Sequence, residues 1–302
     1  MPLVTVQGLE KSFQQTKIIK GITFQLEKGR GIALIGPNGA GKTTTLRMLS
    51  GLFAPTSGKI VFDGSREGED IRKFIGYLPP HPVFHDWMTG REFLEHVGKL
   101  AGLSGGQSKS RTAALLELVG IGEAQNRRIG KYSGGMKQRL GIAQAIIHRP
   151  KLVTLDEPVS ALDPLGRREV LDLIDLLKKE ATVLFSTHFL NDAEEVCDDI
   201  LFLHNGMIVE KGTMDQLREK YKHSKIDLVF HKNASFYIDD LPCQDAIENV
   251  VAEGNSASIF AKDVELVKHV ILQEAARKNW PLIRFQLSTM NLEDVFMKVV
   301  QK

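Results

Sequence analysis

Apolar positions along this chain fall into short continuous runs and into helical stripes, and their order predicts alternating strands and helices. Leu3 to Val6 and Gly21 to Leu26 read as short strands either side of a polar turn, Glu10 to Gln15. Gly31-Ile32-Ala33-Leu34-Ile35 is unbroken by polar residues, as a buried strand requires, and Thr45 to Leu49 continues as a helix after a glycine-rich turn. Ile60 to Phe62 precedes the turn Asp63-Gly64, and Ile71 to Leu78 leads into another strand. From Pro79 the spacing becomes helical. Thr89 caps a helix to Leu100, with Glu92 at its third position and Phe93, Leu94, Val97 and Leu100 on one face. After a glycine-rich loop, Gly102 to Gly106, come helices at Arg111 to Val119 and at Gly134 to His148, the latter stopped by Pro150. Strand patterns resume at Leu152 to Asp156 and Thr182 to Phe185, with the helix Gly166 to Lys179 between them. Ile200 to Val209 reads as two strands about Asn205-Gly206, a strong hairpin signal.

The pattern predicts an α/β nucleotide core over residues 1–220 with a helical insert at about 80–150. Residues 221–302 read as a small α+β extension. Strands are expected at Ile226 to Phe230, Ser235 to Ile238, Val250 to Val251, Ser256 to Phe260 and Leu282 to Leu287, with a helix at Val264 to Arg277. A last helix ending at Val300 is capped by Asn291, with Asp294 at its third position.

Composition narrows the classes of partner. A chain of 302 residues suits one large domain plus a smaller one, and 42% hydrophobic residues suffice for a sizeable core. With a net charge of +2, nothing global argues for a nucleic-acid groove or a polybasic membrane anchor, and no nucleic-acid partner is expected. Cys197 and Cys243 lack metal-ligand spacing and read as thiols of a reducing compartment. The N-terminus lacks a signal-peptide pattern, and no stretch approaches the roughly 20 apolar residues that cross a bilayer. A membrane process served by this chain would need another polypeptide to do the spanning.

The chemistry is concentrated at Gly36-Pro37-Asn38-Gly39-Ala40-Gly41-Lys42-Thr43-Thr44, between the apolar run and the helix. Glycines there let backbone N–H groups wrap a phosphate, and the helix N-terminus faces the anion. Lys42 is expected on the outer phosphates of a nucleoside triphosphate, and the Thr43 hydroxyl on a magnesium ion bridging them. Asp156 and Glu157 end an apolar strand, at the sheet edge where ligands bind in open α/β folds. Asp156 is expected to hold magnesium through water, leaving Glu157 to orient and polarise the attacking water. His188 follows the next strand and could reach the γ-phosphate. Phe13 is either a platform for the adenine ring or a plug beneath the loop.

These motifs in this order resemble an ATP-binding cassette ATPase, the motor subunit of ABC transporters. The family carries a Leu-Ser-Gly-Gly-Gln signature, and two segments compete for it. Leu103-Ser104-Gly105-Gly106-Gln107 matches letter for letter; Tyr132-Ser133-Gly134-Gly135-Met136 departs at both ends. Ser133 precedes Asp156 by 23 residues and Ser104 by 52, and one helix plus a connector needs roughly twenty. The spacing selects Ser133, Gly134 and Gly135 as the helix N-terminus that receives a γ-phosphate. The resemblance implies that this phosphate belongs to a second ATPase subunit, another copy or a close homologue. It also places Phe13 on the adenine, Asp163 across the dimer, and His188 as the switch histidine. It further implies magnesium-dependent ATP hydrolysis, a separate membrane-spanning permease docked near residues 80–130, and a location peripheral to the inner face of the cell membrane. The tail Leu292-Glu293-Asp294-Val295-Phe296 is similar to that of the exporter-type, ABC-2-like branch. One departure stands out: Pro79-Pro80 occupies the place where the family usually has a glutamine that touches magnesium. The rival reading is an ABC ATPase acting on ribosomes or DNA, disfavoured by a single cassette without long coiled-coil inserts.

Overall fold

The computed structural model describes residues 2–66, 69–160, 162–220, 225–238, 241–288 and 292–300. Chain contacts divide it into two units, Met1–Met214 and Asp215–Lys302.

The first unit opens with a hairpin, β1 (Pro2–Phe13) and β2 (Thr16–Glu27). The polar stretch expected as a six-residue turn is mostly strand: Glu10 pairs with Lys20, Lys11 with Ile19 and Phe13 with Thr16. Cross-strand hydrogen bonding outweighs local polarity here, and the bend shrinks to Gln14-Gln15, with Gln14 at φ 53°. β3 (Gly31–Ile35) leads to α1 (Lys42–Leu49), and β4 (Ser57–Phe62) returns antiparallel against β1, giving a three-stranded sheet in the order β2-β1-β4.

After a 3₁₀ turn at Ile71–Phe74 comes β5 (Ile75–Leu78), and then the helical insert of α2 (Gly90–Leu100), α3 (Gly105–Leu118) and α4 (Gly134–Ile146). Thr89 and Glu92 form the expected capping box on α2. A second capping box corrects the glycine-rich loop: Ser104 accepts from the Gln107 N–H while Gln107 accepts from the Ser104 N–H, so α3 starts at Gly105 rather than Arg111. Two satisfied end groups outweigh the poor helix propensity of paired glycines.

The remaining elements of this unit are β6 (Leu152–Asp156), α5 (Pro164–Leu177), β7 (Thr182–Thr187), α6 (Leu190–Val196), β8 (Asp199–His204) and β9 (Met207–Thr213). The six-stranded sheet runs β5-β6-β7-β3-β8-β9, parallel except for the β8–β9 hairpin, whose Asn205 and Gly206 take the positive φ that its turn needs. Strands β3, β6 and β7 are buried at every position, which is why they read as continuous apolar runs. Because β7 lies between β6 and β3, the loops leaving all three emerge side by side at one edge.

The second unit begins with α7 (Met214–Lys220), which straddles the contact boundary. Its sheet comprises β10 (Lys225–Phe230), β11 (Ile247–Glu253), β12 (Ser256–Ala261) and β13 (Leu282–Ser288), antiparallel in the order β11-β12-β10-β13. Ser235–Ile238, expected as a strand, is instead a helical turn, α8. Asn233 accepts from the Ser235 N–H and starts the turn, while the Tyr237 ring stacks on Phe230 at 4.7 Å. Aromatic packing onto the sheet, not strand pairing, explains the apolar pattern. α9 (Val264–Arg277) buries Val264, Val267 and Ile271, and α10 (Leu292–Val300) is tied down by Lys225 to Asp294 at 3.0 Å and by Lys298 to Glu248. The expected cap Asn291 lies outside the described residues. Among the described residues no helix is long and apolar enough to cross a membrane.

Candidate functional site

The loop from Gly36 to Gly41 joins β3 to α1 with little room to spare. A Cβ at Gly36 would run into the Leu203 carbonyl oxygen, and Gly41, at φ 107°, has the Ile19 side chain 2.5 Å from where its own Cβ would stand. Ala40 is buried and donates its N–H to the Pro37 carbonyl at 3.2 Å, while Pro37, Asn38 and Gly39 face outward. Gly41 caps α1 without any side chain, so the helix N-terminus is left open to an anion. Gly36→Ala is expected to cost about 1–3 kcal/mol in folding stability and to abolish nucleotide retention. Thermal melting set beside ATP binding checks it, and full binding at reduced stability would contradict the tight-turn reading.

Lys42 is buried, with its ammonium on the Gly36 carbonyl at 2.8 Å and 3.4 Å from Glu157 Oε1. The other oxygen of Glu157 lies 3.2 Å from His188 Nδ1. The ends of β3, β6 and β7 thus bring Lys42, Glu157 and His188 into one cluster, with the carboxylate between two nitrogen groups. Glu157 sits at φ 49°, a conformation unusual for a non-glycine residue and characteristic of functional loops. Its carbonyl accepts from the Ser160 hydroxyl, and its N–H donates to Ser186 Oγ at 2.9 Å.

Ser186 escaped the sequence reading, yet it orders both acids. In register with Asp156 on the neighbouring strand, its hydroxyl donates to Asp156 Oδ1 at 2.7 Å. Two positions before His188 at the end of an apolar strand, it carries only the weak signal of a polar residue in a buried run. Asp156 is fully buried, and its Oδ2 has no partner within the protein. A buried carboxylate oxygen left without a donor suits a divalent cation, the kind of compensation such a group requires. Thr43 and Thr44, in the first turn of α1, are half-buried.

His188 is braced from outside the cluster. Its ring lies 4.0 Å from that of Phe189, the Arg167 guanidinium sits 4.3 Å over Phe189, and Arg167 pairs with buried Asp192 at 2.6 Å. Burial raises the Asp192 carboxyl above the usual carboxylate range, against the pull of Arg167. Asp163 caps α5 by accepting from the Gly166 N–H.

Phe13 ends β1 half-exposed, edge-on to Phe53 at 5.7 Å with Lys11 over its ring, so one side of the aromatic stays open. Ser133 caps α4 by accepting from the Met136 N–H at 3.2 Å and is exposed, as is Gly134, with no atom near where a Cβ would be added to Gly134. Among the described residues no hydrogen bond joins Ser133 to Lys42, Glu157 or His188. The arrangement therefore comprises a phosphate cradle with its acid and histidine, and a separate outward-facing helix N-terminus.

Residues 19–160 match the family described as ABC transporter, and residues 212–300 match the C-terminal domain of the DrrA1-3-like ATP-binding proteins. The uncharacterized ABC transporter ATP-binding protein YxlF of Bacillus subtilis (strain 168) is 44% identical over 298 residues, covering 99% of each chain. The linearmycin resistance ATP-binding protein LnrL of the same organism is 32% identical over 304 residues, covering 98% of each. Among solved structures, one described as the ATP binding subunit of an ABC transporter superposes with a TM-score of 0.65 at 34% identity, over 72% of this chain and 93% of that one.

Proposed function

The chain belongs to the ABC transporter family as an ATP-binding subunit of the ATP-hydrolysing kind, and from that premise we propose that it energises a separate permease, in an exporter-type system, through a two-fold dimer closed by ATP. The observation that carries this reading is the contact chain Lys42, Glu157, His188 at one sheet edge, with a second helix N-terminus presented to solvent at Ser133.

The α1 N-terminus and Lys42 bind the β- and γ-phosphates; the ammonium that now rests on Glu157 and the loop carbonyls turns to the more highly charged ligand. Glu157, released from that ion pair, holds the attacking water and takes its proton, while His188 fixes the carboxylate from the other side. Thr43 and Asp156 would hold magnesium, which supplies charge neutralisation on the phosphates when bound. Phe13 offers its open side to the adenine. Ser133 with the N–H groups of Gly134 and Gly135 serves the nucleotide of a second copy, so one self-complementary face is used twice. The γ-phosphate bridges the two halves, and hydrolysis loosens them.

Support for a permease near the helical insert comes from exposed apolar side chains on the loop that leads into it: Val83 is 90% exposed and Trp87 69%. An outward direction is supported by the name of another relative, the Nod factor export ATP-binding protein I of Ralstonia nicotianae, 30% identical over 308 residues. A location peripheral to the membrane follows from such a partner. The test is purification of the tagged chain from detergent-solubilised membranes. Recovery with a multi-span protein, lost on Trp87→Glu, is expected; recovery on ribosomes or DNA instead would favour the rival reading and overturn this one.

A further inference from the structure

β5 ends in Tyr77-Leu78-Pro79-Pro80, and of these four only Tyr77 has a side-chain hydrogen-bond donor. Tyr77 is in register with Thr154 of β6, and registered partners in a parallel pair project to the same face. Asp156 lies two residues beyond Thr154, on that face as well, and Ser186 continues the row on β7. A tyrosine is long enough to serve such a diagonal neighbour. Two buried polar atoms of this row lack a partner in the protein, the Tyr77 hydroxyl and Asp156 Oδ2. One can donate and the other can only accept. Arg47 stands one helical turn beyond Thr43 on α1. Burial pushes the Tyr77 phenol above its ordinary value; the Arg47 guanidinium opposes this and the Asp156 carboxylate reinforces it.

We propose that Tyr77 is a positioning residue for the magnesium-binding carboxylate: its unpartnered hydroxyl, on the same sheet face as Asp156, fixes the orientation in which Asp156 meets the metal. The inference rests on the reading of Asp156 given above. Ser186 holds one oxygen of the carboxylate, and the unpartnered Tyr77 hydroxyl is the donor on the same face available to the other once the metal is bound, so the acid is oriented from the strands on both sides of it. The proline pair that follows has nothing to contribute to the metal shell, and the donor is supplied three residues earlier on the strand.

A purely structural role and a metal-orienting role separate cleanly in Tyr77→Phe. The ring and its packing remain, and deleting a buried hydroxyl that lacks a protein partner does not weaken the fold. In a Glu157→Gln background, where bound ATP persists, the added Tyr77→Phe is expected to raise the magnesium concentration that half-saturates binding of a fluorescent ATP analogue by about tenfold, the effect of losing an outer-shell partner. Binding of that analogue in EDTA and nucleotide-free melting are expected to match the parent, and Mn²⁺ titration followed by electron paramagnetic resonance should show the same shift. An unchanged magnesium requirement overturns the proposal, and so does equal weakening in EDTA. A Glu157→Gln parent that shows no magnesium-dependent ATP binding overturns the reading of the site itself, and this inference with it.

Discussion

Glu157→Gln is expected to bind ATP as well as the parent and to hydrolyse it at least a hundredfold more slowly. The reason is geometric as much as chemical. Glutamine has the shape of glutamate, so the backbone at φ 49°, its hydrogen bond from the N–H to Ser186 and the contact to His188 can all persist. What disappears is the negative charge 3.4 Å from Lys42 and the ability to accept a proton. Loss of the charge leaves Lys42 freer for phosphate, so affinity is not expected to fall. Loss of the base removes a contribution of roughly 10²–10⁴ in rate. Phosphate release under saturating ATP, read beside nucleotide retention, checks both halves. Undiminished hydrolysis would remove Glu157 from the mechanism, and weakened binding would mean that the Lys42–Glu157 pair organises the loop rather than competing with the ligand.

Ser133→Arg is expected to abolish ATPase activity and Ser104→Arg to leave it close to that of the parent. The two serines do the same local work. Each caps a helix by accepting a backbone N–H three residues on, Met136 in one case and Gln107 in the other. Either substitution therefore costs about 1 kcal/mol of capping, and melting should drop by a similar small amount in both. In the proposed dimer only Ser133 serves a phosphate, and an arginine there would fill the anion site. Equal losses of activity would make capping the common cause and reject the assignment; loss at Ser104 alone would return the signature to the literal match. The letters Ser-Gly-Gly-Gln at 104–107 are accounted for by a reciprocal capping box in which Gln107 has a structural task of its own.

Much of this molecule was legible because its central strands are buried on both faces and its helices carry end signals. Gly31–Ile35, Leu152–Asp156 and Thr182 to Phe185 announce themselves as apolar runs, and Thr89 caps a helix as its side chain allows. The elements misread are those whose state depends on a distant partner. Glu10 to Phe13 is strand because β2 lies alongside, and Ser235–Ile238 is a turn because Phe230 and Trp280 receive Tyr237. Neither partner is visible in a local window. α6, which carries Asp192 for the brace behind His188, was too short to register as a pattern.

Local sequence determined the phosphate loop, the pair of acids and the histidine, because each is a short motif whose geometry is fixed by glycine, a helix N-terminus or a strand end. Only the tertiary structure decided that β7 runs between β6 and β3. That neighbourhood sets Glu157 between Lys42 and His188, puts Ser186 on Asp156 and lines Tyr77 up on the same face. Strand order is a global property of the sheet, settled by which buried faces pack together.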